Sequence, residues 1–356
     1  MHMPDAGSST CQGCLVGSAY SKLCLTLRNV VIRELLNGVK ADRDEIMKVS
    51  RRIRNFVDFL PMKKRMCFNS VAGVDAGGHR IPLLSKFFGV VSALVYMLPK
   101  GRRFFTEPDV ITFPHTVSSE KFKGILSVRR EAKLYETAIR FVERFGDRVE
   151  LVLVDGPLAF SGWLRRVGRK VDRELLFDNV NRFLRLCEEK SIPVAGVVKR
   201  ASARFLIYHL GLREETKLPD SFLLLHCMRA GERTDIFSPM AAVERVTGSS
   251  SFMNLLEYPV YSFYARFSRS WLNPPVRVDM PSFSLEFVEE IADYCYATSY
   301  TSGIPLAIVR ADEEVRVSKQ FMAEVYLDAV SKVSRMYGAP SFAAPVWGEG
   351  SWMVSP

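Results

Sequence analysis

The sequence predicts an α/β fold. Its mixed β-sheet has three antiparallel strands first and parallel strands after them, with flanking helices and an N-terminal helical extension. Apolar runs joined by short connections fill residues 70–114, the pattern of an antiparallel meander. From residue 127 onward, helical and apolar segments alternate, which calls for parallel strands and right-handed crossovers. A helical pattern from 19 to about 60 precedes both.

Taken in order, residues 1–18 are small and polar and read as a disordered tail. KLCLTLRNVVIRELLNGV then sets Leu23, Leu25, Val30, Val31, Leu35 and Leu36 at mixed helical spacings. The helix continues from Asp42 to Leu60, with Lys48, Arg51, Arg52 and Arg54 on one face. A solvated face is the ordinary reading of such a stripe, and DNA contact the functional one. FNSVAGVDAGG is an apolar strand ending at Gly77 and Gly78, followed by two further strand-like runs, LLSKFFGVVSALVYML and GRRFFTEPDVITFPHTV. Residues 127–145 read as a helix with Ser127 as N-cap. VELVLVDGPL (149–158) is nearly all apolar, as befits a strand covered on both faces. Residues 171–189 are helical, and IPVAGVVKR (192–200) is a second buried strand.

Residues 235–275 read as an aromatic-rich, irregular insertion. The aromatics of Phe252–Phe267 suit a core, a base-stacking platform or a dimer surface, and core is the ordinary choice. VRVDMP reads as a strand and SLEFVEEIADYCYATS as a helix. PLAIVRADEEVRVS follows, and a last helix runs from about 317 to 337. Asp312 is expected between a strand and that last helix. The boundaries are then a tail and helical extension over 1–65, one α/β domain over 66–340, and a C-terminal tail over 341–356.

Composition narrows the class. The chain has 356 residues, 48% hydrophobic and 25% charged, so it can bury a large core. Lys and Arg number 49 against 39 Asp and Glu, a net charge of +10 that favours a polyanionic partner. Seven cysteines form no regular framework, which fits a reducing, intracellular setting. Cys11 and Cys14 make a lone CxxC; a zinc site would need two further ligands, for which only Cys24 and His2 lie nearby, and a disordered tail is the ordinary reading. No apolar run reaches the ~20 residues needed to span a bilayer, and no signal peptide is visible, so the expected location is the cytoplasm. A GxxxxGK[ST] loop is absent, which argues against a P-loop motor. A sugar-kinase-like ATPase would need glycine-rich phosphate loops, and only AGG and DGPL are present.

The chemistry concentrates on carboxylates. Asp75 and Asp155 each close an apolar, strand-like run, and a helix with internal glutamates lies between them. An Asp before Gly is by itself an ordinary turn residue. Two on neighbouring buried strands are different, because buried charge needs compensation. Glu131 shares a helical stripe with Leu134, Tyr135, Ala138 and Val142 and so faces the sheet, whereas Glu136 lies on another stripe and is the second choice. Asp75, Glu131 and Asp155 together suit hard cations such as Mn²⁺ or Mg²⁺, two of which can drive phosphodiester hydrolysis. Lys199 and Arg200 end the next strand on the same edge, where they can bind a DNA phosphate or simply be solvated. Asp312 is a candidate fourth carboxylate or a structural cap.

The order of these carboxylates resembles a ribonuclease H-like core. The wording of VAGVDAGG, RREAKLYETA, LVLVDGPL, VVKRASARFL, LPDSFLLLHCMRAGERTD, PPVRVDMP and IPLAIVRADEEVRVS resembles the NurA family of archaeal end-resection nucleases. These segments keep their order from about 70 to 320. The resemblance implies a manganese-dependent nuclease that acts on single-stranded DNA and on 5′ ends. It implies a homodimer working with a hexameric HerA-type helicase-translocase. It assigns Asp75, Glu131 and Asp155 to the family's metal ligands. It also sets Asp312 where some relatives have His, and Tyr300 opposite a family tyrosine. The alternatives are another ribonuclease H-like nuclease or resolvase, and a non-catalytic DNA-binding scaffold subunit.

Overall fold

The computed structural model describes residues 17–344 except 84, 115, 161–163, 165–166, 249–254 and 317–318. The CxxC pair and most of the two predicted tails lie outside the described residues. Among those described, the elements run α1 (Gly17–Phe56), β1 (Phe59–Pro61), β2 (Val71–Pro82), β3 (Lys86–Leu98), β4 (Arg102–Phe105), β5 (Asp109–Pro114) and α2 (Ser119–Phe145). Then come β6 (Leu151–Asp155), α3 (Lys170–Glu189), β7 (Val194–Val198), α4 (Phe205–His209), α5 (Asp220–Leu225), β8 (Glu232–Thr234) and α6 (Pro239–Thr247). The last are β9 (Val260–Ala265), β10 (Val276–Pro281), α7 (Val288–Thr298), α8 (Leu306–Val315) and α9 (Lys319–Tyr337).

All ten strands join one sheet in the order β1-β8-β9-β10-β7-β6-β2-β3-β4, with β5 also pairing with β3. The predicted mixed sheet is present. β2, β3, β4 and β5 are antiparallel neighbours, while β2–β6 and β6–β7 are parallel. Beyond β7 the sheet turns antiparallel again through β10, β9, β8 and β1.

Several boundaries move. α2 starts at Ser119, capped by the Ser118 hydroxyl, which accepts from the Lys121 N–H at 3.2 Å. Ser127 is interior because Phe122, Ile125 and Val128 carry the buried stripe back by two turns. The aromatic stretch around 235–275 is not an insertion, for it supplies β9, and Phe263 and Tyr264 are fully buried there. The boundary at 65 also fails as a domain edge. Ile46, Val49 and Ile53 of α1 are buried, and β1 is part of the sheet. IVRADEEV is a helix, since Ala307, Ile308, Ala311 and Val315 fall on one buried face at helical spacing.

Alternation along β2 sets which helix meets which face. Ala72, Val74 and Ala76 join Val128, Ala132 and Tyr135 of α2 in one core layer. Val71 joins Leu151 and Leu153 of β6 with Ala307 and Ile308 of α8 in the other. Asp75 and Asp155 share the parity of this second layer, so their side chains emerge on the α8 side. Gly73 and Gly77 flank Asp75 on that same face. A Cβ on Gly73 would lie 2.1 Å from the Ala307 carbonyl oxygen, and one on Gly77 would lie 2.7 Å from that of Val315. Helix α8 therefore rests on bare backbone on both sides of Asp75.

Gly73→Ala is expected to lower stability by about 3 kcal/mol, in the range of core overpacking. Gly78→Ala, whose added Cβ would find its nearest neighbour at 3.5 Å on the opposite face, should be close to neutral. Denaturant unfolding followed by far-ultraviolet circular dichroism checks both, and equal stability of the two variants contradicts the packing described.

Candidate active site

Asp75 is mid-strand rather than terminal, the fifth residue of the 12-residue β2. β2 continues past it because Gly77 and Gly78 stay extended and pair with Ser92 and Val91 of β3. It is β6 that stops there. The parallel register ends at Val74↔Val154, so the next residues, Asp75 and Asp155, lie side by side. α8 contributes Asp312 from above. One carboxylate oxygen from each of Asp75, Asp155 and Asp312 lies within 4.8 Å of the others.

These carboxylates open onto a cavity of about 880 Å³, whose wall also holds Arg130, Glu131, Lys199, Arg200 and Arg316. Lys199 Nζ donates to Asp155 Oδ2 at 2.5 Å and lies 3.7 Å from Asp312 Oδ1. Arg316 donates to Asp312 Oδ2 at 2.9 Å. Among the described residues no cation pairs with Asp75, whose Oδ1 accepts from the Ala76 N–H at 2.7 Å. Burial and the neighbouring Asp155 push the Asp75 carboxyl up to about 8. Burial also raises Asp155, against the pull of Lys199 and of a hydrogen bond from Asp75. Both shifts favour the neutral form of a carboxyl in this pair, Asp75 the more strongly.

The sequence-predicted residues divide. Asp75, Asp155 and Asp312 come together, and Lys199 binds two of them. Arg200 lines the cavity. Glu131 was expected as the third ligand but stands outside the three-carboxylate group. Its helix packs on the opposite face of the sheet, yet Glu131 lines the same cavity, where it accepts from Arg130 at 2.7 Å and its Oε2 lies 3.5 Å from the Cβ position on Gly156. Glu136 is further away in role, held by Lys133 at 3.2 Å and Arg140 at 3.0 Å. Tyr300 is 69% exposed and does not line the cavity.

A second group, not singled out in the sequence, fixes the loop after Asp155. Asp279 of β10 is fully buried and accepts from the Leu158 and Ala159 N–H groups at 3.1 and 3.0 Å. Arg277 donates to both Asp279 oxygens at 2.7 and 3.0 Å and to the Ala159 carbonyl at 3.1 Å. Ser262 adds a donor to Asp279 at 2.7 Å. The signal was available: VRVDMP places Arg and Asp two apart, hence on one face, in a strand buried along its whole length.

A family model described as the NurA domain matches residues 69–317. The fold is similar to the crystal structure of the NurA nuclease from Sulfolobus solfataricus at 16% identity, covering 86% of this chain and 97% of that one, TM-score 0.60. It is also similar to a crystal structure of NurA with manganese at 11% identity, covering 85% and 98%, TM-score 0.56. A further NurA crystal structure matches at 12% identity over 87% and 99%, TM-score 0.54. A search of curated protein sequences finds no match.

The raised Asp75 carboxyl gives a pH test. The folded-state value of Asp75, about 8, lies above its ordinary 3.8, so the stability it contributes is full below the lower value and is lost as pH rises through the higher one. Metal-free protein should therefore melt at progressively lower temperature between about pH 5 and pH 8. Asp75→Asn should flatten that decline. Mn²⁺ should raise the melting temperature more at about pH 8 than at about pH 6, because binding must displace the proton. Differential scanning calorimetry across the window checks this, and a flat wild-type profile contradicts it.

Proposed function

This chain belongs to the NurA family, and we propose that it is a metal-dependent nuclease that hydrolyses DNA phosphodiesters at the cluster of Asp75, Asp155 and Asp312. The observation that carries the reading is that cluster: three carboxylates within 4.8 Å on the matched domain, with cations around them. The donor set is all oxygen, which suits a hard divalent ion. Manganese is the ion we propose, with magnesium as the alternative and two ions as the complement. A similar fold solved with manganese supports the first choice.

When bound, such ions lower the pKa of a water and neutralise charge on the phosphoryl group. The chain's own residues do the rest. Asp75, Asp155 and Asp312 supply the ligand oxygens, and Lys199 balances Asp155 and Asp312 when no other cation does. Arg130, Arg200 and Arg316 on the cavity wall bind phosphates on either side of the scissile one. Glu131 orients Arg130 and borders the site. The Arg277–Asp279 pair holds the loop that follows Asp155, which keeps that carboxylate from shifting when its partner cation changes.

The substrates we propose are single-stranded DNA and the 5′ ends of duplexes, processed 5′ to 3′ in double-strand-break resection. The net charge of +10 supports a polyanionic substrate. We propose a homodimer. The exposure of Leu35, Leu36 and Val39 on α1, each above 60%, supports an apolar surface that a second copy covers. The remaining partner, a hexameric HerA-type translocase, rests on the family resemblance alone. No helix among the described residues is long and apolar enough to cross a membrane, and the proposed setting is the cytoplasm.

Asp75→Asn, Asp155→Asn and Asp312→Asn should each lower Mn²⁺-dependent cleavage of end-labelled single-stranded DNA by on the order of a hundredfold or more. Glu131→Gln should cost roughly tenfold or less, as expected of a group outside the ligand set, and Glu136→Gln should cleave as the wild type does. EDTA should stop the reaction. Wild-type rates from Asp75→Asn would end the metal-site reading, and no cleavage by the wild type with any divalent ion would favour the scaffold role.

A further inference from the structure

A second groove adjoins the cavity of the three carboxylates. It has a volume of about 450 Å³ and lies between β3, β4 and the ends of α8 and α9. Leu94 forms its floor, and Arg103, Phe105, Glu314, Arg316 and Phe321 stand around it. Arg316 lines both this groove and the metal-site cavity, so the two are neighbours.

Sheet register ties the groove to the carboxylates. Asp75 pairs with Leu94, and Leu94 pairs with Phe105. Directly paired residues point to the same face. Phe105 therefore emerges beside the site, two strand spacings or about 10 Å from Asp75. Its ring is 70% exposed, although Phe104 next to it packs against Phe141 and Phe145 on the other face. Phe321 stands on the α9 side and is 55% exposed. Two guanidiniums and one carboxylate border the groove: Arg103 donates to Glu314 at 2.6 Å, and Arg316 to Asp312 at 2.9 Å. That leaves an aromatic surface with a cationic margin next to the phosphate-cutting centre.

We propose that this groove receives the base of a nucleotide next to the scissile phosphate of single-stranded DNA, stacked on Phe105, with Arg316 and Arg103 on the adjoining phosphates. The proposal rests on the nuclease reading for its substrate. Stacking on a ring is tolerant of sequence, because every base has a π-face. The groove therefore lets the enzyme grip unpaired strands of any sequence and disfavours bases still held in a duplex.

The test uses the full-length protein with Ca²⁺ in place of Mn²⁺, and fluorescence anisotropy of two labelled strands of equal length and charge. One is oligothymidine and the other is fully abasic. Phe105→Ala should weaken binding to oligothymidine about tenfold, the effect of one lost stacking ring, and leave the abasic strand unchanged. Phe105→Trp should restore the preference. Circular dichroism confirms that each variant is folded. Equal affinity of wild type and Phe105→Ala for oligothymidine, or equal losses on both strands, overturns the proposal. So does a change in sedimentation mass with DNA affinity intact, which would mark the groove as a protein interface. Cleavage with Mn²⁺ is read in parallel. A wild type that binds bases through Phe105 yet cuts nothing overturns the nuclease reading alone.

Discussion

Two aspartates buried side by side cannot both carry charge without a cation, and much of the molecule is organised around that constraint. The parallel register of β2 and β6 puts Asp75 and Asp155 next to each other where β6 ends. α8 then brings Asp312 onto them, and it can lie close enough only because Gly73 and Gly77 leave β2 bare on either side of Asp75. Two features offset the repulsion among these carboxylates. Burial and Asp155 raise the Asp75 carboxyl and so favour its neutral form, and Lys199 sits against Asp155 and Asp312. Both devices yield to a divalent cation, which offers more charge at shorter range.

The rest of the site is support. A buried ion pair contributes little net stability by itself, but breaking one is costly. Asp279 and Arg277 accept that exposure to loss because their hydrogen bonds end on backbone groups of the loop after Asp155. That loop leaves the sheet at the edge of the cavity, so the pair fixes the direction in which Asp155 presents its oxygens. Arg130, Arg200 and Arg316 ring the opening and give the acidic centre a basic rim. Such a rim attracts a polyanion that the carboxylates alone would repel.

Much of this was legible in the chain itself. The continuous apolar run before Asp155 announced a central strand, and the alternation after it announced parallel pairing. Asp75 and Asp155 were identifiable because a charge closing or interrupting such a run needs a reason. The helical stripe that puts Glu131 on the cavity wall tells which way a residue points on its helix and not which face of the sheet the helix covers. That depends on the parity of β2, which opposes Ala72, Val74 and Ala76 to α2 and gives Asp75 to α8. Asp312 was undervalued because IVRADEEV is short and apolar at its start, so strand and helix periods are hard to separate there. The glycine spacing around Asp75 carried the missing information, since glycines two residues to either side mark a strand face on which something lies directly.

The proposed cation site is Asp75, Asp155 and Asp312, with Glu131 on the wall of the same cavity. Diffraction from crystals soaked in Mn²⁺, recorded at the manganese absorption edge, tests it most directly. An anomalous peak among these three carboxylates, with Lys199 turned away from Asp155, is the expected result. A peak coordinated by Glu131 without Asp312, or no peak at this cluster in metal-saturated crystals, would contradict it.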